Sequence, residues 1–318
     1  MSNQLTSQSE SIQAEAVDVT VVINTFNRPD NCLVALRSVL AQTKVPSRIF
    51  IIEDGAASSL AERLDQFAGQ KVTYQPAGTR RGLAACRNIG LSLADTTWIA
   101  YLDDDDEWLA SKLEKQLSLI ESLESGVRES TAVVYCRNGV RAEGSIIAVD
   151  RRLNRGNLRE EIIRFGPTTV PSSCMFSVSA LREIGGFDET LVSSVDHDIW
   201  MALAANDGCA QLVDGVLVIS GEAPRQKRMT SDVSTRLVGV QQFLNKWAST
   251  LDDWLGEEEA ARARDRYFAR VIGTLGSRMI SDRQWRNAGV VLKALWAQAP
   301  SPGQRVARAA QAVGTGIL

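Results

Sequence analysis

Three short, mainly apolar runs alternate with helical patterns in the first third of the chain, and each run ends in polar or acidic residues. The runs are Val19–Ile23, Arg48–Ile52 and Trp98–Leu102, and the residues that follow them are Asn24-Thr25, Glu53-Asp54 and Asp103–Asp106. Strands that alternate with helices at this spacing predict βαβ units and a mainly parallel sheet. Because ligands of such sheets bind beyond the carboxyl ends of the strands, the three polar strand ends predict one shared crevice.

The pattern is weaker in the second half of the chain. Val133–Cys136 and Ser145–Val149 look like strands of a smaller, more antiparallel layer, and Leu212–Ile219 looks like a last strand. From Val233 the sequence is typical of helices as far as Pro300. We therefore predict an α/β fold followed by C-terminal helices.

Length and charge both favour two units. The chain has 318 residues, and about 150 residues per domain is usual. Residues 1–224 carry 30 acidic and 20 basic side chains, whereas residues 225–318 carry 15 basic and 8 acidic ones. We expect a disordered lead-in over residues 1–17, an α/β domain over residues 18–222, and a flexible basic loop followed by a helical region over residues 223–318.

The composition excludes several classes of protein. A net charge of −3 argues against nucleic-acid binding by the whole chain. His197 is the single histidine, which excludes zinc or haem sites that need two. The 5 cysteines are widely spaced without a CxxC pair, which indicates free thiols in a reducing compartment. With no apolar run near the ~18 residues of a spanning helix and no signal-peptide core, we expect a cytoplasmic protein.

The acidic run Asp103–Asp106 is the strongest candidate for a ligand site. Adjacent carboxylates repel one another, and a hard divalent cation commonly offsets that repulsion. Side chains two apart on an extended segment point the same way, so Asp103 and Asp105 can face one ligand. Alternatively, the aspartates cap the following helix and interact with its positive end. The position at the end of a buried strand, opposite two other polar strand ends, favours the ligand site.

An ordered set of five motifs resembles glycosyltransferase family 2. The motifs are Val21–Arg28, Ile51–Gly55, Gly82–Asn88, Tyr101–Asp106, and Gly185–Glu189 with Val195–Trp200. The resemblance covers residues 18–222, and it is specific as a set although any one motif alone is weak. It implies the GT-A fold, a nucleotide-sugar donor, and a catalytic Asp in the last motif.

The resemblance assigns the base of the nucleotide to the first two strand ends. Asn24, Thr25 and Phe26, together with Asp54, would line the pocket for the nucleotide base. Glu53 stands where the family often has Asp, so that Asp54 is favoured over it.

The remaining donor residues would bind the ribose and the diphosphate. Arg81 and Arg87 would approach the nucleotide, although Arg87 could equally be a structural ion-pair partner. Asp103 would hydrogen-bond the ribose, and Asp105 would ligate Mn²⁺ or Mg²⁺ that bridges the diphosphate. Asp104 is placed with the donor-binding residues, where it could instead support its neighbours or cap the following helix.

On the acceptor side the resemblance points to Asp196 as the catalytic base. If a metal neutralises the leaving phosphate, only the incoming hydroxyl must lose a proton, so one carboxylate is sufficient. Without the family context, Asp196 would be interpreted as a helix N-cap. Asp198 is the rival base, but its helical spacing favours capping of the turn. His197 is expected to be a packing or solvent-edge residue, or alternatively to hydrogen-bond the acceptor sugar.

The sequence departs from the family in the loop after the last strand. Many members have a metal-binding or diphosphate-binding His there, whereas residues 221–228 contain none. Arg225, Lys227 and Arg228 could clamp the diphosphate when the loop closes, or could form an exposed basic linker.

The C-terminal region is basic and carries aromatic residues. Residues 260–318 hold ten basic and two acidic side chains, with Tyr267, Trp285 and Trp296 among aliphatic residues at helical spacing. Such helices could contact an anionic membrane at its inner face. They could also pack on the catalytic domain, which the sequence favours, or mediate a homodimer.

These observations predict a metal-dependent glycosyltransferase, and the resemblance to the family implies that it inverts the anomeric centre. It would move a sugar from a nucleotide-sugar donor to a hydroxyl of a glycan or lipid-linked acceptor, in bacterial polysaccharide biosynthesis. One alternative is a sugar nucleotidyltransferase, but Asn24–Pro29 is not the long Gly-rich phosphate loop that such enzymes need. The other alternative is a non-catalytic module that binds a nucleotide or a sugar.

Overall fold

The computed structural model describes residues 16–142, 144–148, 155–167, 170–221 and 232–298. Within these ranges the strands are β1 (Ala16–Thr25), β2 (Val45–Glu53), β3 (Val72–Pro76), β4 (Trp98–Asp103), β5 (Asp106–Trp108), β6 (Thr131–Ala142), β7 (Ser145–Ala148), β8 (Gly156–Asn157), β9 (Cys174–Ser177) and β10 (Cys209–Ser220). The α-helices are α1 (Pro29–Leu40), α2 (Leu60–Leu64), α3 (Leu83–Leu93), α4 (Lys112–Ser122), α5 (Ser125–Ser130), α6 (Leu158–Phe165), α7 (Val178–Glu183), α8 (Val195–Ala205), α9 (Val233–Lys246), α10 (Ala248–Leu255), α11 (Glu257–Ser281) and α12 (Trp285–Gln298).

The described strands form one sheet in the order β3-β2-β1-β4-β9-β6-β10-β5, with β7 paired to β6 and β8 to β10. The four strands at the β3 end are parallel, as the βαβ pattern predicts. β9 joins β4 and β6 by antiparallel pairing, whereas β6 and β10 are parallel. The antiparallel strands expected in the second half therefore extend the same sheet and do not form a separate layer. β1 begins at Ala16, two residues before the predicted start of the domain.

Helices cover both faces of the sheet because neighbouring residues of each strand point to opposite sides. In β1, Val21 packs in the core under α1, α2 and α4, whereas Val22 packs in the core shared with α3 and α8. This second core continues into the C-terminal helices α9, α11 and α12. All five cysteines are free, as their spacing predicts.

Two glycines hold the chain between α7 and α8 against α3. Gly185 and Gly186 have φ values of +80° and +77°, a conformation that glycine adopts without steric cost. A Cβ atom on Gly186 would lie 2.6 Å from Oδ1 of Asn88. Asn88 in turn donates to the carbonyl of Phe187 and accepts from its N–H, each at 2.8 Å. This contact fixes the approach of α8 to α3, and both helices contribute to the site described below.

The predicted C-terminal helices are present as α9 to α12. Asp232 caps α9 by accepting hydrogen bonds from the N–H groups of Ser234 and Thr235. None of the helices described is both long and apolar enough to span a membrane. Arg225, Lys227 and Arg228 of the basic loop lie outside the described residues, as do the lead-in up to residue 15 and residues 299–318.

Candidate functional site

The three polar strand ends meet at one edge of the sheet, as predicted. Asn24 of β1 pairs in register with Asp103 of β4, and Thr25 pairs with Glu53 of β2. Parallel strands bring their carboxyl ends to the same edge, so the crevice follows from the topology.

Asn24 and Thr25 have different surroundings although they are adjacent. The Thr25 hydroxyl donates to Oδ2 of Asp104 at 2.7 Å. Asn24 is buried, and neither atom of its side-chain amide has a hydrogen-bond partner among the described residues. A buried amide without a partner is costly, so the amide of Asn24 is available to a ligand that enters the crevice.

Phe26 lies at the rim of the crevice, and the residue is 36% exposed. The guanidinium carbon of Arg80 lies 4.4 Å from the centre of this ring, which is a cation–π distance. Arg81, next to it, lies 3.8 Å from the carboxylate of Glu189. Arg80 was not predicted from the sequence to lie at the crevice, although its position next to Arg81, just before a predicted helix, indicates this.

Asp54 and Glu53 both accept hydrogen bonds from other groups of the protein. Asp54 accepts from the N–H of Arg81 at 2.6 Å and from that of Gly82 at 3.2 Å, just before α3 begins. Glu53 is buried, and it accepts from the hydroxyls of Ser58 and Tyr74. Asp54 is therefore the more accessible carboxylate of the two at this strand end.

Two carboxylates of the acidic run, Asp104 and Asp106, are buried and held by the protein. Asp104 forms an ion pair with Arg28, whose Nε donates to its Oδ2 at 3.0 Å. Asp106 accepts from the N–H of Gly221 at 3.2 Å. Burial raises the pKa of each carboxyl to about 7, against the opposing effect of Arg28 on Asp104. The contacts of Asp104 described here are with protein groups, and its place among the donor-binding residues stays a prediction.

Asp103 and Asp105 are the less buried carboxylates of the run. The N–H of Asp103 donates to Oγ of Ser172 at 3.1 Å, which anchors the strand end. Oδ2 of Asp105 lies 3.6 Å from Arg28. Burial raises the pKa of Asp103, Arg87 lowers it, and the carboxylates of Asp196 and Asp105 raise it further. The two carboxylates therefore share one electrostatic environment.

Arg87 joins the acidic run to the proposed base. Its side chain is fully buried, and it donates to Oδ1 of Asp196 at 2.5 Å and to Oδ1 of Asp103 at 3.2 Å. The side chain of Asp196 is 41% exposed, so this carboxylate is open to a substrate. Arg87 is thus an ion-pair partner in this structure, and its contact with a nucleotide stays a prediction.

The residues on either side of Asp196 are bound to the C-terminal helices. Nδ1 of His197 lies 2.5 Å from the hydroxyl of Tyr267 on α11. Asp198 is buried and accepts from Lys246 at 2.9 Å and from the indole N–H of Trp247 at 2.7 Å. The prediction that Asp198 caps its own turn is therefore wrong, because both of its oxygens face the next helices.

His197 packs between helices, as one of its expected roles requires. Its ring lies edge-on to Phe243 and Tyr267. Burial, and then the charge of Arg236, lower the pKa of His197 to about 3, so the ring is neutral near pH 7. Its contacts are with protein groups on α9 and α11, and they do not favour a catalytic triad.

The described residues hold no group of three or more His, Cys, Asp or Glu side chains arranged as metal ligands. The roles of four further residues at the site were not predicted from the sequence, because each of them pairs with a residue far away in the chain. These residues are Arg28, Ser172, Tyr267 and Lys246.

Comparisons with known proteins agree with this geometry. The chain is 30% identical over 137 residues to the amylovoran biosynthesis glycosyltransferase AmsB of Erwinia amylovora, a match that covers 42% of this chain and 45% of that protein. It is 28% identical over 102 residues to the UDP-Glc:alpha-D-GlcNAc-diphosphoundecaprenol beta-1,3-glucosyltransferase WfgD of Escherichia coli, covering 32% and 40% of the two chains. The chain thus matches less than half the length of these relatives.

Among solved structures, S. aureus TarS 1-349 in complex with UDP-GlcNAc superposes with a TM-score of 0.64 at 14% identity, over 89% of this chain and 81% of that one. This likeness confirms the predicted GT-A fold. The family model for glycosyl transferase family 2 matches residues 20–185, more than half of the chain. The chain therefore belongs to glycosyl transferase family 2.

Proposed function

We propose that this chain transfers a sugar from a nucleotide-sugar donor to a hydroxyl of a glycan or lipid-linked acceptor, in bacterial polysaccharide biosynthesis. One observation carries the proposal: Arg87 binds Asp103 of the donor crevice and Asp196 on α8 at the same time. The carboxylate that would bind the donor and the carboxylate that would activate the acceptor are therefore both held by one guanidinium group. The similarity to AmsB, a glycosyltransferase of amylovoran biosynthesis, supports the role in polysaccharide synthesis, and the similarity to WfgD, a glucosyltransferase that acts on GlcNAc-diphosphoundecaprenol, supports a lipid-linked acceptor.

The nucleotide would lie across the strand ends. The unpartnered amide of Asn24 is suited to the hydrogen-bonding edge of a base, and the exposed ring of Phe26 offers an apolar face for stacking. Arg80 and Arg81 bring positive charge to the same rim. We place Asp54 beside the base and Asp103 at the ribose.

The donor set fits a divalent cation that is shared with the substrate. Asp103 and Asp105 offer hard carboxylate oxygens, and Mg²⁺ is commonly held by one or two carboxylates together with substrate phosphates. The carboxylates of the acidic run and of Asp196 also outnumber the two guanidinium groups, Arg28 and Arg87, that form ion pairs among them, so that negative charge is in excess there. We propose Asp105 as the principal ligand of Mn²⁺ or Mg²⁺. When bound, the ion would supply positive charge to the departing diphosphate.

Asp196 would act as the general base. The acceptor oxygen attacks the anomeric carbon while the bond from that carbon to the diphosphate oxygen breaks. The hydroxyl proton passes to the carboxylate of Asp196, and the nucleoside diphosphate leaves as an anion. Attack opposite the leaving group inverts the anomeric centre. A second carboxyl, as in glycoside hydrolysis, is not needed, because the leaving group requires no proton.

A panel of nucleotide sugars with Mn²⁺ tests the proposed function. Thermal stabilisation would report binding, and release of the nucleoside diphosphate would report donor cleavage. We expect one donor, with UDP-sugars as the first choice, to give both responses. Stabilisation without cleavage, with any acceptor offered, would favour a binding module, and no response to any donor would contradict the proposal.

A further inference from the structure

Helix α12 has one buried and one exposed face. Ala288, Val291 and Leu295 are buried in the core that also contains α9 and α11. On the other side, Trp285 is 66%, Val290 45% and Trp296 50% exposed. The buried face therefore packs the helix on the core, whereas the three large apolar side chains outside that face stay substantially exposed.

The exposed residues form a continuous surface, which we call the α12 outer face. Its members are Trp285, Arg286, Val290, Lys293 and Trp296. Eleven residues make about three helical turns, so the two indole rings lie almost in line, about 16 Å apart along the axis. Arg286 and Lys293 lie beside this line and are exposed.

The charge of the outer face is uniformly positive. Arg283, Arg286 and Lys293 are exposed, and no acidic residue occurs from Arg283 to Gln298. A symmetric dimer would place this face against its own copy, which would bring like charges together with no carboxylate on the helix to balance them. An anionic surface has the complementary charge.

We propose that the α12 outer face binds the headgroup layer of an anionic lipid bilayer. Tryptophan rings prefer the interface between headgroups and acyl chains, and Val290, which helical spacing places between Arg286 and Lys293, adds exposed apolar area to the same surface. Arg286 and Lys293 can extend to lipid phosphates while their aliphatic stems stay at the apolar boundary. The helix would lie on the membrane and not cross it, and this proposal does not depend on the transferase activity.

Cosedimentation of the whole chain with vesicles tests the proposal. One vesicle contains phosphatidylglycerol and phosphatidylcholine, and the other contains phosphatidylcholine alone. Each Lys or Arg near an anionic surface contributes about a factor of five to binding, so Arg286→Glu/Lys293→Glu should weaken binding to the anionic vesicle by at least about 25-fold. Trp285→Ala/Trp296→Ala should also weaken it.

Matched controls use exposed residues outside α12. Lys71→Glu/Lys115→Glu makes the same charge change at two exposed lysines, and Val34→Ala/Leu93→Ala removes two other exposed apolar side chains. Both should bind as wild type does, and thermal unfolding checks that every variant folds.

The proposal would be supported if the wild type bound phosphatidylcholine vesicles only weakly, and if the two α12 variants, but not the two control variants, lost binding to the anionic vesicles. No binding of the wild type to anionic vesicles would overturn it, as would binding that the α12 variants leave unchanged. A dimer that dissociates in Trp285→Ala/Trp296→Ala, without vesicle binding, would assign the outer face to a second copy and would also overturn it.

Discussion

Arg87 and Asp196 are joined by a hydrogen-bonded ion pair of 2.5 Å, although 109 positions separate them in the chain. The guanidinium group is fully buried, whereas the carboxylate is 41% exposed. The second hydrogen bond of Arg87, to Asp103 at 3.2 Å, leaves two carboxylates on one cation. Arg87 therefore connects the two carboxylates of the site, and the first prediction follows from this arrangement.

The first prediction concerns the contribution of Arg87 to stability. Removing one partner from a buried pair commonly costs about 3–5 kcal/mol, and we expect Arg87→Ala to lose about 3 kcal/mol of unfolding free energy, because both carboxylates reach solvent. Arg87→Lys should recover only part of it, since an ammonium group cannot bridge both carboxylates as the planar guanidinium does. Denaturant unfolding measures both variants.

Arg48 provides the control for this prediction. It pairs with Asp95 at 3.2 Å on the surface, and exposed pairs contribute at most about 1 kcal/mol. Equal losses for Arg87→Ala and Arg48→Ala would refute the central role of Arg87.

The second prediction is a pH dependence that arises from His197. Its pKa is lowered to about 3 in the folded chain, from 6.5, so the unfolded chain binds the extra proton between these two values. The contribution of His197 to the free energy of unfolding is therefore fully present above pH 6.5. Below that pH it decreases by about 1.4 kcal/mol per pH unit. Arg236, Arg270, Asp196 and the Tyr267 hydroxyl are the groups that act on the ring.

Because His197 is the single histidine, its imidazole NMR signals report this directly. We expect them to remain those of a neutral ring from pH 8 to pH 5, and we expect His197→Gln to flatten the loss of stability between pH 6.5 and 5. Signals that titrate near pH 6.5 would show that the ring is not buried in this way.

The third prediction concerns the support of the base by the C-terminal helices. Tyr267→Phe removes the hydroxyl that binds His197, next to Asp196. We expect a loss of about 1 kcal/mol in stability and a lower kcat with an unchanged KM for the donor, since the donor strand ends are untouched. Thr274→Val is the matched control, because its hydroxyl bonds only the Arg270 carbonyl of the same helix among the contacts described. A change in donor KM alone would contradict this role.

The fourth prediction concerns the proposed metal ligand. Asp105→Ala should remove the dependence of donor cleavage on Mn²⁺ and lower the rate by about 100-fold or more, as expected for lost charge stabilisation of a leaving group. Titration of Mn²⁺ against donor cleavage measures it, with Asp95→Asn as a carboxylate control on the surface. If Mn²⁺ activated Asp105→Ala to the same extent as the wild type, Asp105 would not be the metal ligand.

The sequence predicted the features of the site that depend on local pattern. The alternation of strands and helices was sufficient to bring Asn24, Asp54 and Asp103 to one edge, because parallel strands end together. The prediction of a helix after Gly82 and of a Gly-Gly turn before Asp196 was likewise confirmed.

Long-range pairing could not be predicted in this way. Arg87 and Asp196, or Asp198 and Trp247, meet only because α3, α8 and α9 pack on one face of the sheet. Whether an aspartate caps its own helix or binds another one depends on that packing, and periodicity contains no information about it. For the same reason His197 could be assigned to packing, but its partner Tyr267 could not be named.

The proton transfer assigned to Asp196 is the central claim, and Asp196→Asn tests it most directly. The amide keeps a hydrogen-bond acceptor near Arg87 but cannot accept the hydroxyl proton. Once the donor and the acceptor are identified, we predict that kcat for sugar transfer by Asp196→Asn is lower than that of the wild type by about 100-fold or more. Thermal stabilisation of the variant by the donor should persist. Transfer by Asp196→Asn at the wild-type rate would contradict the account.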